Sequence, residues 1–332
     1  MNDHMACSYV SIVIPFFQRE KGLLERSVLS ILSQRDFNDY RIIVVDDGSP
    51  VSAEEELASI IRSTKKITII QQENAGPGAA RNKGLDSILD GTKYVAFMDS
   101  DDWWEETFLS DAVFALNKGH DLFFGNSKRF GVEKTRFEWN SSSELNLNPS
   151  EHMVLNSERE LYEFKGDFFD FMIFRSNIIS TSAMIYKYEK YSYLRFNIKL
   201  FNGQDRLFKL SLCKNIEKVA FSAKICTYEE KGVNIFDSAN WGSAKSLVLL
   251  SNYIKLPKYI LKEISLNKNQ EKFIISQLNA SRYSFAASIL HLLRNGNKID
   301  WNLVVNTFKE DIGTAIYFLP NIVKILIKKY FY

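Results

Sequence analysis

Four apolar runs rich in β-branched residues recur in the first hundred positions, and each stops on a polar turn: 10–17 (VSIVIPFF), 41–45 (RIIVV), 67–70 (ITII) and 94–98 (YVAFM). A near-continuous apolar run of this length is what a strand buried on both faces requires. After the first run, Leu24, Val28, Ile31 and Leu32 recur at helical spacing on a segment ending near Gln34. A second helix is predicted over 79–89. Strands alternating with helices at this rhythm imply an α/β fold, a mostly parallel sheet flanked by helices on both faces.

In such a sheet ligands bind beyond the carboxyl ends of the strands. The four strand ends carry residues 18–20, Asp46 and Asp47, 72–78, and 99–102, so four polar clusters are predicted on one edge. Residues 125–164, including Ser141, Ser142 and Ser143, are polar and read as a long loop or short antiparallel elements. Segments 179–186 and 219–228 read as further strands, and from about Ser243 the pattern is helical, including 274–293.

Composition narrows the class. The 332 residues are 45% hydrophobic and 25% charged with 6 Pro and 15 Gly, which excludes a mainly disordered or collagenous chain. A net charge of +2 gives no global basic field, so a nucleic-acid partner is not expected. Cys7, Cys213 and Cys226 lack disulfide-framework or zinc spacing and fit a reducing compartment. The N-terminus lacks a signal-peptide pattern, and no window has the roughly 18 uncharged apolar residues of a spanning helix. A cytoplasmic protein is expected.

Asp99-Ser100-Asp101-Asp102 follows the fourth apolar run. Two carboxylates one residue apart at a strand end can jointly face a divalent cation and a diphosphate, and hard oxygen ligands suit Mg²⁺ or Mn²⁺. The simpler alternative is an acidic turn with Asp102 capping the next helix. In Asp46-Asp47-Gly48-Ser49 a carboxylate can accept a hydrogen bond from a base or ribose, while Gly48 permits a tight turn. Residues 74–82 (NAGPGAARN) bring small residues and Arg81 to a helix start. There backbone can approach a ligand and Arg81 can reach phosphate or base, or merely pair with a nearby acid.

In order and spacing these segments, 10–20, 30–34, 44–49, 74–84 and 97–103, resemble the inverting family 2 glycosyltransferases across about residues 8–110. The resemblance implies a Rossmann-like nucleotide-diphospho-sugar transferase fold of GT-A type. It also implies that Pro15, Phe16, Gln18 and Glu20 line the nucleotide pocket, with Gln18 where many relatives have Asn. Asp47 would hold the base, Arg81 would sit near the nucleotide, Asp99 and Ser100 would face the donor, and Asp101, with Asp99, would hold Mn²⁺ or Mg²⁺ in a DXD motif. More faintly, 181–186 (TSAMIY) resembles the strand before the acceptor site, and 201–208 (FNGQDRLF) the family's Gly-Glu-Asp segment. Its Asp205 would be the catalytic base, while Gln204 replaces the usual Glu. A helix N-terminal charge is the plainer role for Asp205. Where relatives place a His, 228–234 (YEEKGVN) has none, and Lys231 is either a diphosphate contact or a surface residue.

The implied activity is transfer of a sugar from a nucleoside diphosphate, a UDP-sugar by family habit, to a hydroxyl of a glycan or lipid-linked glycan in surface polysaccharide synthesis. One displacement with one base gives inversion at the anomeric carbon. A non-catalytic nucleotide-sugar-binding member of a glycan-assembly complex is the alternative, supported only by Gln204 and the missing His. A sugar nucleotidyltransferase ranks below both, because its glycine-rich basic loop after the first strand is missing. Trp103 or Trp104 would stack on a sugar ring or pack in the core. The expected organisation is a GT-A domain over 1–240, divided near 110 into nucleotide-sugar and acceptor halves, and a helical region over 241–332. The tail 316–332 (IYFLPNIVKILIKKYFY) carries Lys324, Lys328 and Lys329 and no acid. It reads either as a basic amphipathic helix on an anionic bilayer, with a polyprenyl-linked glycan as natural acceptor, or as a helix packed on the catalytic domain.

Overall fold

The computed structural model describes residues 9–139, 145–175, 178–230 and 243–331. Its first elements are β1 (Val10–Phe16), α1 (Leu23–Leu32), β2 (Tyr40–Asp46), α2 (Ala53–Glu56), α3 (Ala58–Ile61), β3 (Ile67–Gln71), α4 (Pro77–Asp86), β4 (Tyr94–Phe97), β5 (Trp103–Trp104) and α5 (Phe108–Asn117). Then come β6 (Leu122–Arg129), β7 (Met153–Asn156), β8 (Leu161–Glu163), α6 (Phe168–Phe174), β9 (Met184–Lys187), α7 (Tyr188–Tyr191), α8 (Gln204–Cys213) and β10 (Val219–Glu229). Four helices close the chain: α9 (Ala244–Glu263), α10 (Lys268–Arg294), α11 (Trp301–Glu310) and α12 (Ile312–Phe331).

The strands form one mixed sheet in the order β3-β2-β1-β4-β9-β6-β10-β8-β7, with β5 paired to β10. The α/β class expected from the strand–helix rhythm is the one observed. β1 pairs in parallel with β2 and β4, and β2 with β3. Every residue of β1 and β4 is buried, which is why their sequences show no polar alternation. β9 runs antiparallel between β4 and β6. Segment 179–186, expected as a strand throughout, begins instead with a 3₁₀ turn at Thr181–Ala183 before β9. Of the two readings of 125–164, the antiparallel one holds for β7 and β8, while residues 140–144 lie outside the described residues.

The chain divides into two compact units, Met1–Ile198 with Phe208–Gly232, and Lys199–Leu207 with Val233–Tyr332. In the first, Ile12, Ile14 and Phe16 of β1 and Ile42 and Val44 of β2 join Leu24, Val28 and Ile31 of α1 and Leu109, Ala112 and Leu116 of α5 in one core. The first turn of α1 is held by Glu56, whose Oε1 accepts from the amides of Gly22, Leu24 and Glu25 at 2.9, 2.8 and 3.2 Å. On the other face, α4 lies so close to β1 that a Cβ on Gly84 would meet Val13 Cγ1 at 2.3 Å. Gly84 thus serves helix–sheet approach.

The second unit has its own core, with Leu247, Leu250 and Ile254 of α9, Leu278, Phe285, Ile289 and Leu292 of α10, and Val304 of α11. Asp311 ties these helices. It accepts from Arg282 Nε and Nη2 at 2.8 and 2.9 Å, pairs with Lys258 at 3.2 Å, and accepts the Thr314 amide at 3.1 Å at the start of α12.

Candidate active site

Three turns at the carboxyl ends of β1, β2 and β4 build the site, and parallel register places them on one edge of the sheet. Beyond β2, Asp46 is consumed locally: its Oδ1 accepts from Ser49 N and its Oδ2 from Ala53 N, both at 2.8 Å. Asp47 instead reaches across to the loop after β3. Its Oδ1 accepts from Gln72 Nε2 at 2.7 Å and Ala75 N at 2.8 Å, and its Oδ2 from Gly76 N at 2.9 Å. This buried carboxylate therefore shapes the loop that leads into α4. Gly48, at φ +68°, takes a left-handed turn that brings the chain against Asn74.

Beyond β4, residues 99–102 close a turn in which Asp102 N donates to Asp99 O at 3.0 Å. Arg81, buried on α4, pairs with the half-exposed Asp99 carboxylate, and its guanidinium lies 5.3 Å from the Phe196 ring centre. The alternative in which Arg81 pairs with a nearby acid thus describes its contact here. Ser100 is buried and accepts Gln18 Nε2 at 3.1 Å, linking the ends of β1 and β4. Gln18 Oε1 is buried and finds no partner among the described residues. Asp102 caps no helix, since α5 begins after Thr107; its carboxylate accepts from the Ser182 hydroxyl and from Glu230 N at 3.3 Å. Ser182 also accepts Asp99 N at 3.0 Å, which explains why the chain coils at 181–183 before entering β9.

The turn is strongly acidic. Burial, then the charge of Asp99, pushes the Asp101 carboxyl up to about 6, and burial with Asp99 and Asp101 pushes Asp102 well above the usual carboxylate range. Arg26 of α1 offsets part of this, donating to Asp101 O at 2.8 Å and pairing with Glu230 at 2.9 Å. Its guanidinium lies 4.2 Å from the ring centre of Trp103, which stacks on Tyr228 at 5.2 Å. Trp104, by contrast, is core, donating its Nε1 to Ser182 O at 2.6 Å. Glu229, the last residue of β10, is buried, a cost that hydrogen bonds and charge from Arg136 and the Ser127 hydroxyl outweigh, so its carboxyl lies below its ordinary value.

Of the residues assigned from sequence, the sheet edge thus brings together Gln18, Asp47, Arg81, Asp99, Ser100 and Asp101. Pro15 and Phe16 are buried within β1, with Phe16 wholly in the core, and Glu20 is exposed. Asp205 is in the first turn of α8, which the chain enters through Gly203 at φ +82°, and belongs to the second unit. Lys231 lies outside the described residues. Arg26 and Ser182 were not anticipated. Each acts on a turn more than seventy positions away, and only Ser182 lay in a segment that the family resemblance had marked. Among the described residues, no three His, Cys, Asp or Glu side chains form a ready metal cage.

A half-parallel sheet with an acidic turn after β4 and a carboxylate-anchored loop after β2 defines an α/β nucleotide-diphospho-sugar transferase architecture, the GT-A type. The profile "Glycosyl transferase family 2" matches residues 11–197, more than half of the chain, and the chain belongs to that family. It is 30% identical to the succinoglycan biosynthesis protein ExoW of Rhizobium meliloti (strain 1021), over 72% of this chain and 74% of that one. It is 27% identical to the GalNAc(5)-diNAcBac-PP-undecaprenol beta-1,3-glucosyltransferase of Campylobacter jejuni, over 86% and 84%. Among solved structures, S. aureus TarS 1-349 in complex with UDP-GlcNAc aligns with TM-score 0.54 at 20% identity, covering 86% of this chain and 72% of that one. The mannosyltransferase PcManGT from Pyrobaculum calidifontis, in complex with GDP-Man and Mn²⁺, aligns with TM-score 0.55 at 13% identity, covering 98% and 89%. At these identities the structural likenesses establish the fold.

Proposed function

We propose that this glycosyltransferase is an inverting enzyme that moves a sugar from a UDP-sugar to a hydroxyl of a glycan or polyprenyl-linked glycan in surface polysaccharide synthesis. The observation that carries the reading is the shared sheet edge of the Asp47-anchored loop and the acidic turn 99–102. The Rhizobium relative is a succinoglycan biosynthesis protein and the Campylobacter relative a glucosyltransferase of a PP-undecaprenol-linked glycan, and both support the acceptor class.

The donor set fits Mn²⁺ or Mg²⁺. Asp99, Asp101 and Asp102 share one turn, with Glu230 beside it, and Arg81 and Arg26 pair with Asp99 and Glu230. Two carboxylates with the remaining positions left to water and diphosphate oxygens suit a cation that arrives with its nucleotide, and Asp101 with Asp99 would hold it. Such a cation supplies neutralisation of the charge that grows on the departing diphosphate. Asp47 has one acceptor direction beyond its three loop hydrogen bonds with which to meet a base N–H. Gln18 Oε1, buried and unpartnered among the described residues, offers a second acceptor beside Ser100. Asp205 takes the proton of the acceptor hydroxyl as its oxygen bonds to the anomeric carbon and the bond to the diphosphate oxygen breaks. A peripheral position on the cytoplasmic face of the membrane, where a polyprenyl-linked acceptor presents its glycan, belongs to the same proposal and is supported by the excess of Lys and Arg over Asp and Glu in residues 243–332.

Calorimetric titration with UDP, with and without Mn²⁺, on the protein and on Asp101→Ala, tests this. Metal-dependent binding lost in the variant supports the reading, and no UDP binding under any metal condition sinks the UDP assignment. UDP binding without trace UDP-sugar hydrolysis dependent on Asp101 and Asp205 would favour a non-catalytic binding role.

A further inference from the structure

Residues 312–327 of α12 contain one charged residue, Lys324. One face of the helix packs within its own unit: Thr314 is buried, Gly313 lies against Arg282, and Phe318 meets Phe308 edge-on at 5.4 Å. The opposite face is apolar and bare. Ile312, Ile316, Leu319, Val323 and Ile327 are each between 53% and 71% exposed. At 3.6 residues per turn they fall within about 80° of one another, a continuous stripe four turns long. Isolated exposed aliphatics are ordinary on protein surfaces, but five in one stripe mark an interaction face.

Charge identifies the occupant. Residues 243–332 hold 13 Lys and Arg against 5 Asp and Glu, a net of +8 within a chain whose total is only +2. The helical unit is therefore cationic and the remainder of the chain acidic. An apolar stripe on a cationic helical unit, with Lys324 within its span, Lys328 and Lys329 following in sequence and no acid after Asp311, matches an anionic bilayer surface. Among the described residues no helix is long and apolar enough to cross a membrane.

We propose that α12 docks the protein onto anionic lipid by inserting this stripe, lying in the plane of the interface. The inference rests on the peripheral part of the reading above and not on its donor chemistry. The exposed stripe is aliphatic, so the contact it makes is apolar rather than ionic. Insertion supplies the apolar contact, and the unit's positive charge selects the leaflet.

Flotation of the full chain with phosphatidylcholine vesicles, with and without phosphatidylglycerol, tests this, alongside a Leu319→Asp/Val323→Asp variant. Both positions are exposed, so the variant is expected to fold, with an unchanged melting temperature and unchanged UDP affinity as the check. The chain should bind the phosphatidylglycerol vesicles about tenfold or more better than the neutral ones, and the variant should lose that binding. Equal binding by protein and variant would overturn the stripe's role, and equal binding to both vesicles its choice of anionic lipid. A solution dimer that the variant converts to monomer, without vesicle binding by either, would assign the stripe to a second copy instead. Because UDP affinity is read separately, loss of the donor reading and loss of the docking reading are distinguishable.

Discussion

Asp47 differs from Asp46, its neighbour in the same turn, in where its hydrogen bonds go. Asp46 closes its own turn, while Asp47 organises a loop contributed by another strand. Replacing Asp47 with Ala removes the acceptor for two loop amides and the contact proposed for the base. UDP affinity should fall about tenfold or more, equivalent to at least ~1.4 kcal/mol, and an unchanged dissociation constant by titration calorimetry would exclude Asp47 from the nucleotide site. Asp205→Asn should leave UDP affinity intact and lower transfer by about 10²–10⁴-fold, the range of a lost general base; a steady-state assay of sugar transfer, or of trace donor hydrolysis, checks it. The acidic residues were readable because they follow uninterrupted apolar runs, and a break from buried strand to Asp is a strong local signal. Arg26 and Ser182 were not readable. Nothing in helix α1 marks Arg26 as the partner of Glu230, because that partnership exists only once distant strands pair. Arg81 shows the complementary limit: its nearness to the site was inferred, but its ion pair with Asp99 exists only once the fold brings α4 to the turn after β4.

Helix α4 approaches β1 closely because Gly84 has no side chain where Val13 projects. Gly84→Ala should destabilise the protein by about 1–3 kcal/mol through overpacking, despite alanine's better helix propensity, and denaturant unfolding would show it; a neutral or stabilising result would mean that α4 shifts freely. In the helical unit, Asp311 joins α10 to the start of α12 through Arg282 and Thr314. Burial alone would raise its carboxyl, but the hydrogen bonds from Arg282 and Thr314 and the charges of Arg282 and Lys258 hold it well below the ordinary range. A carboxyl depressed in the folded state stabilises above its unfolded value of about 3.9 and loses that contribution as pH falls toward the folded value. Acid unfolding below about pH 4 should therefore be shallower in Asp311→Asn, which should itself cost about 3–5 kcal/mol at neutral pH by stranding Arg282. Helix and strand positions were readable where one periodicity dominated, as in β1 and α10. They blurred at 179–186, where the hydroxyl of Ser182 serves the acidic turn and local hydrogen bonding displaces extended backbone.

Among the described residues the core that joins β1 and β2 to α1 and α5 shares no residue with the core of the helical unit, which predicts two unfolding events. UDP with Mn²⁺ at about a hundred times its dissociation constant should stabilise the event that belongs to the sheet by roughly 2.7 kcal/mol, and scanning calorimetry resolves whether only that event moves. The sequence showed that the C-terminal region is helical and basic, but not which side of its last helix faces outward, because that depends on how α10 and α11 pack. The bare aliphatic side of α12 has a kinetic consequence. An enzyme held to a surface searches for its acceptor in two dimensions, so its encounter rate follows acceptor molecules per unit of bilayer area rather than per litre. Diluting a lipid-linked acceptor with inert phospholipid would then slow the protein at constant bulk substrate, whereas adding more vesicles of the same composition would not.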